Sequence, residues 1–234
     1  YEGEINSNKI KEFLASNFDF LNGNVEITGG EPLMYPYLAD VLDSNIKWAI
    51  TSNTSMVEKV RKLASTGALD RCFSWTASWH PFSRREKEFT ECVSTIVSKH
   101  VPVAVTVVVS EETLPRLKEI KDFLNALPIT SINWHLEAHK KLEFDLAGEA
   151  EKIIGKVHWI AGEPRQGALC KKNSELIALA PSGDLYNCVT HCYTNTDVIG
   201  NIKESIQLSE LDKIVEQCDD ECFACCDWIK HIIL

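Results

Sequence analysis

Nowhere in its 234 residues does the chain carry an apolar run near the roughly 18 residues that a membrane span requires. The longest run, Val101 to Val109, is broken by Pro102 and Thr106 and suits a buried strand. No secretory signal is visible. A cytoplasmic location and no membrane partner are therefore expected. Positive charge is scarce too. There are 24 Lys and Arg against 34 Asp and Glu, a formal net charge of −10. Such a surface repels phosphates, and no dense Lys/Arg run offsets it, so nucleic acid is not an expected partner. The chain lacks a P-loop, a dinucleotide fingerprint and a Ser-His-Asp order. It also lacks an initiator Met and starts at Tyr1 in a helix pattern, which reads as a truncated or partly ordered N-terminus.

Cysteine is absent from the start of the chain and crowded at its end. Cys72 and Cys92 are isolated in hydrophobic segments. The other seven of nine, Cys170, Cys188, Cys192, Cys218, Cys222, Cys225 and Cys226, fall in the last 65 residues. A secreted disulfide domain would spread them over a small chain. Clustering at one end points to a metal site instead.

The first two thirds alternate strand and helix patterns. Ser7 is placed to cap a helix with Ile10, Phe13 and Leu14 inward. Strands are predicted at Asn24–Thr28, Lys47–Ser52, Arg71–Ser78, Val103–Val109 and Ile129–Leu136. Between them lie helical patterns around Tyr37–Leu42, at Val60, Leu63 and Ala64 with Gly67 as the stop, at Phe89 to Val97 after a Ser83/Glu86 capping box, and at Leu117 to Leu127. Five strands alternating with helices predict an α/β fold with a parallel sheet. Each strand nevertheless has a polar face. Asn24, Glu26 and Thr28 oppose Val25 and Ile27. Ser74, Thr76, Ser78 and His80 oppose Phe73, Trp75, Ala77 and Trp79. Asn133, His135 and Glu137 oppose Ile132, Trp134 and Leu136. Parallel strands buried on both faces read as continuous apolar runs instead. A curved, incompletely closed barrel with a polar, ligand-holding lumen fits this alternation. An antiparallel sheet with one wet face is the alternative. A helix over Leu142–Lys156 and a link at Gly162–Gly167 lead to the tail. There Pro181-Ser182-Gly183 signals a hairpin, and Leu211, Ile214, Val215 and Cys218 fall on one helical face.

Strand Asn24–Thr28 ends in Gly29-Gly30-Glu31-Pro32. Two glycines there let the backbone approach a ligand, Glu31 offers a carboxylate to an ammonium group, and Pro32 sets the exit from the strand. The string Ile27 to Leu33 resembles the GGEP motif of radical S-adenosylmethionine (SAM) enzymes. That resemblance implies a partial (β/α)6-type barrel in which Gly29, Gly30, Glu31 and Pro32 contact the methionine end of SAM. By the same resemblance Thr51, Asn53, Ser78 and Ser110 are further cofactor-binding candidates. One departure is large. Members carry a CxxxCxxC loop before GGEP, whose thiolates hold the [4Fe–4S] cluster that binds SAM. No cysteine precedes Gly29 here. The first barrel strand and this cluster are thus expected only in the full-length protein.

The tail resembles the twitch domain, the shorter relative of the SPASM domain. That resemblance implies an auxiliary [4Fe–4S] cluster on Cys170, Cys188, Cys222 and Cys225, with Cys218, Cys192 and Cys226 in reserve. A zinc site on two cysteine pairs is the alternative. The domains expected are residues 1–158, the partial barrel, and 159–234, the small hairpin-plus-helix auxiliary domain. His80, His135 and Glu137 are candidates to touch substrate, and His139 also lies beyond a strand end. Trp75, Trp79 and Trp134 are expected in the core.

The family's chemistry would follow: SAM is cleaved to methionine and a 5′-deoxyadenosyl radical, which abstracts hydrogen from a substrate carbon. The auxiliary cluster would assist oxidation. A small-molecule or peptide substrate and an electron donor such as flavodoxin or ferredoxin are implied. No separate peptide-recognition domain is visible, which tilts the reading toward a small molecule. The second reading is a non-catalytic, degenerate barrel that binds ligand and carries structural zinc in its tail. Metal analysis of anaerobically prepared protein separates the two tail chemistries. The expected result is about four iron and four sulfide per auxiliary cluster; zinc without sulfide would overturn that assignment.

Overall fold

The computed structural model describes residues 5–82, 85–136, 146–159, 169–172, 177–211, 214–217 and 231–233. The strands are β1 Asn24–Thr28, β2 Lys47–Ser52, β3 Cys72–Trp79, β4 Val103–Val109, β5 Ser131–Leu136, β6 His158–Trp159, β7 Leu169–Lys172, β8 Ala178–Leu179, β9 Asp184–Tyr186, β10 Val198–Asn201, β11 Ile214–Gln217 and β12 His231–Ile233. The α-helices are α1 Ser7–Ser16, α2 Leu38–Leu42, α3 Val57–Ser65, α4 Glu86–Val97, α5 Leu117–Asn125, α6 Leu146–Ile154 and α7 Val189–Thr194. The chain forms two compact units. The first comprises Tyr1–Thr51, Arg71–Phe73 and Glu163–Leu234; the second comprises Ser52–Asp70 and Ser74–Gly162.

In the first unit β2, β1, β12 and β8 run parallel, and β9 and β10 continue antiparallel. The tail therefore extends the sheet that begins at β1, with His231 opposite Glu26. Ile10, Phe13 and Leu14 of α1 are buried, as are Val25 and Ile27 of β1, while Asn24, Glu26 and Thr28 are half-buried. The cap of α1 is Asn6, whose side chain accepts from Lys9 N at 3.0 Å; Ser7 is the first helical residue and not the cap. The expected hairpin is present. Gly183 turns it with φ +91°, where any other residue would be strained and its Cβ would push against Ile5 Cδ1 at 2.5 Å.

The helix expected around Leu211 to Cys218 is not formed. Residues Ile214–Gln217 are strand β11, paired antiparallel with β7, Glu216 opposite Cys170. The apolar spacing there was too short to discriminate, and the partner strand, remote in sequence, decided it. Cys218 lies outside the described residues.

In the second unit β3, β4, β5 and β6 are parallel neighbours. Together with the parallel β1–β2 pair, this removes the antiparallel alternative for the strands named in advance. Trp75, Ala77 and Trp79 are buried; so are Val103, Val105, Val107 and Val109, and Trp134 and Leu136. Trp79 meets Phe89 of α4 edge-to-face, ring centroids 4.8 Å apart. Phe73 departs from the expected face. It is exposed while Cys72 is buried, because pairing with β4 begins only at Trp75. The opposite face carries a half-buried row in register, Ser78 beside Thr106 beside Asn133. Helix α4 starts at Glu86 with Arg85 as its cap residue and no side-chain cap there; Ser83 of the expected capping box lies outside the described residues. The starting turn leaves Arg85 at the helix entrance. Gly67 ends α3 at φ +76°, as expected. No helix among the described residues is long and apolar enough to cross a membrane.

Cys92 of α4 is fully buried, and burial pushes its thiol up to about 12, with the Glu91 carboxylate adding to the rise. The folded thiol thus keeps its proton to higher pH than the unfolded one, whose pKa is about 8.5. This contribution to stability is complete below that unfolded value and declines as pH rises toward the folded one. Iodoacetamide at about pH 8 is expected to leave Cys92 unmodified in native protein and to alkylate it after denaturation. Peptide mass spectrometry checks this; rapid native labelling would contradict the burial.

Candidate functional site

In the first unit the site is built at the end of β1. Gly29 adopts φ +134°, a conformation that L side chains rarely take. Gly30 follows on the surface, and a Cβ added to it would meet nothing within 4 Å. The turn is closed by Glu31, whose Oε1 accepts from Leu33 N at 3.0 Å, and by buried Pro32 at the start of a 3-10 turn. Thr51, at the end of β2, donates from Oγ1 to Glu26 Oε1 at 3.3 Å across the β1–β2 pair. The structure thus gathers Gly29, Gly30, Glu31, Pro32 and Thr51 at adjacent strand ends. Gly30 is exposed and no protein atom stands over it, so its backbone is open to approach from solvent.

In the second unit Asn53, Ser78 and Ser110 lie at or just beyond strand ends. Ser78 faces the half-buried polar side of β3. Ser110 has a local role: its Oγ accepts from Thr113 N at 3.3 Å, and its N–H donates to Thr113 Oγ1 at 2.8 Å. The segment after β2 is held more tightly. Thr54, fully buried at φ +54°, donates its N–H to Ser52 Oγ and its hydroxyl to Ser52 O, and accepts from Trp75 Nε1 at 3.0 Å. Asn53 Oδ1 accepts from Ser55 N and Oγ at 3.1 and 2.6 Å. His80 is exposed and lines a cavity of about 280 Å3 with Asn53, Ser55, Trp79, Arg85 and Phe89. His135 is half-buried on β5, opposite Val108. Glu137 and His139 lie outside the described residues. Trp75, Trp79 and Trp134 are core residues, as expected.

The tail is described in part. Cys170 lies on β7. Cys188, a free buried thiol, precedes α7, and Cys192 sits one turn later, its N–H donating to Cys188 O at 3.1 Å. Burial pushes the Cys192 thiol up to about 11, with Asp184 and Cys188 adding to it. Cys218, Cys222, Cys225 and Cys226 lie outside the described residues. Among the described residues no three His, Cys, Asp or Glu side chains come together as a metal site. Sequence reasoning passed over His191, buried with Nδ1 3.2 Å from Asn187 Oδ1. It also passed over Arg85, because its stretch was read as a helix cap.

No family model matches the chain. An uncharacterized protein of Methanocaldococcus jannaschii, MJ0907, is 22% identical over 209 residues, covering 77% of this chain and 72% of that protein. Among solved structures, the fold is shared with SuiB of Streptococcus suis. The SuiB structure with S-adenosylmethionine bound superposes with a TM-score of 0.59 at 15% identity, covering 89% of this chain and 58% of SuiB. The structure with precursor peptide SuiA bound gives a TM-score of 0.60 at 15% identity, covering 88% of this chain and 57% of SuiB. The chain thus spans less than two thirds of the length of SuiB, and the likeness is one of α/β fold.

Thr54 supports a testable link between the β2 strand end and the core. Thr54→Ala would leave the buried Trp75 indole N–H without this acceptor, which costs about 1–3 kcal/mol. Denaturant unfolding is expected to show that loss, and Thr54→Ser, which keeps the hydroxyl, to recover most of it. An unchanged midpoint in Thr54→Ala would remove the bond from the account.

Proposed function

We propose that the protein is a radical SAM enzyme that acts on a peptide. The observation that carries this reading is the Gly29–Pro32 turn, a GGEP string at the end of a parallel strand with open space over Gly30. The fold shared with SuiB, a protein solved with S-adenosylmethionine and with a precursor peptide, supports it and moves the substrate preference from small molecule to peptide. SAM with a [4Fe–4S] cluster would supply the radical chemistry when bound. The chain's own residues would do the rest. Glu31 and the Gly29–Gly30 backbone would hold the amino-acid end of SAM. Thr51, Asn53, Ser78 and Ser110 would line the strand ends, and His80, His135 and Glu137 would approach substrate. Within this reading residues 1–158 form the partial (β/α)6-type barrel and residues 159–234 the twitch-like domain. Cys170, Cys188, Cys222 and Cys225 would bind the auxiliary cluster, which would assist oxidation. A flavodoxin or ferredoxin would supply the electron in the cytoplasm.

The test is anaerobic reconstitution of the full-length protein with iron, sulfide, reductant and SAM, followed by chromatography for 5′-deoxyadenosine. Product is expected, and Gly30→Val is expected to lower its rate at least about tenfold, the loss of about 1.4 kcal/mol of binding or more, at unchanged thermal midpoint. No 5′-deoxyadenosine from protein with a full cluster complement would sink the proposal in favour of a ligand-binding barrel.

A further inference from the structure

The cavity at the end of β3 belongs wholly to the second unit, and its polar lining is Asn53, Ser55, His80 and Arg85. Asn53 Oδ1 already accepts from both Ser55 N and Ser55 Oγ. Ser55 Oγ in turn accepts from Arg85 Nη1 at 3.3 Å. The Asn53 and Ser55 oxygens are therefore engaged by protein donors, whereas the Arg85 guanidinium, with five N–H donors, makes one hydrogen bond among the described residues.

Arg85 stands apart from the other described arginines. Arg61 is paired with Glu58 and Glu91, Arg71 with Asp43, and Arg116 with Glu119. No carboxylate among the described residues pairs with Arg85. Trp79 lines the same cavity. Trp79 is 4% exposed, and its Nε1–H is buried with no hydrogen-bond partner. An indole N–H can only donate, and leaving it unmade in the interior costs about 1–3 kcal/mol. Helix α4, 12 residues long, begins at this point without a side-chain cap, and the positive end of its dipole adds to the field of Arg85.

A guanidinium with no carboxylate partner among the described residues, a nearby orphaned indole donor and an uncapped helix start favour the same kind of partner, an anion. At about 280 Å3 the cavity lies at the lower edge of the roughly 300–1,000 Å3 of ligand sites and has room for a side-chain-sized group. We infer that this cavity binds a carboxylate, the side chain of an Asp or Glu residue in the substrate peptide. The peptide rests on the function proposed above; the carboxylate site does not. In a chain of net charge −10, an arginine at a helix start with no carboxylate partner among the described residues is a selective anchor: it admits an acidic residue where most of the surface repels it.

The test uses the full-length protein without SAM, so its outcome is independent of 5′-deoxyadenosine formation. N-acetylglutamate α-amide is titrated while the indole N–H resonances are followed by NMR, with Trp79 assigned through Trp79→Phe. The Trp79 resonance is expected to move downfield and saturate. The glutamine analogue, N-acetylglutamine α-amide, is expected to leave it in place. Arg85→Gln is expected to weaken binding at least tenfold, and Arg85→Lys, which keeps the charge but not the fork, several-fold. Arg85 is exposed, so neither change should disturb folding. A Trp79 resonance that stays put, an equal response to the glutamine compound, unaltered affinity in Arg85→Gln, or tighter binding of inorganic phosphate would each overturn the assignment.

Discussion

A parallel strand that carries its own helix must hide one face beneath that helix, and that constraint places the polar strand-face residues described in both units. In the second unit the hidden face is nearly all aromatic and β-branched: Trp75, Trp79, Val103, Val105, Val107 and Val109. Fully burying side chains of this size is worth about 1.5–3 kcal/mol each relative to exposure. No weaker preference can turn the strands over. Ser78, Thr106 and Asn133 are therefore forced onto the other face, and the parallel register lines them up as neighbours. The same logic holds in the first unit, where Val25 and Ile27 go inward and leave Glu26 beside Thr51.

Chemistry then collects where the strands end, because there the backbone leaves the ladder and must find other partners. The two units solve this differently. After β1 the chain uses Gly29 at positive φ and a carboxylate cap from Glu31, which keeps the turn low and leaves Gly30 open. After β2 it uses Thr54, a non-glycine at positive φ, held by hydrogen bonds to Ser52 and Trp75. One end is bare backbone fit for close approach by a ligand. The other is a side-chain network that hands its last acceptor, Ser55 Oγ, to Arg85.

The shared fold with SuiB and the GGEP string bear on different questions. The former concerns topology across most of the chain, at an identity too low to carry residue roles. The latter concerns four residues at one strand end. Their agreement is informative because the topology puts those four residues where ligands of parallel α/β folds bind, at the carboxyl ends of strands. In the tail Cys188 is a buried free thiol, and Cys222 and Cys225 lie outside the described residues.

The sequence alone determined the parallel core. β1, β2 and β4 begin and end where residue alternation placed them, because a period of two over five to seven residues with β-branched apolar members has no helical reading. It also determined the Gly29–Pro32 turn, since backbone freedom is written in residue type. Only the tertiary structure decided the rest. Ile214–Gln217 is a strand because Leu169–Lys172 pairs with it, and β12 lies beside β1 across some two hundred residues of chain. Neither partner is visible in a local pattern. Arg85 was hidden for the same reason. Whether a guanidinium has a counter-ion depends on what surrounds it in space, and its neighbours in the cavity, Asn53, Ser55 and Trp79, come from other turns of the chain.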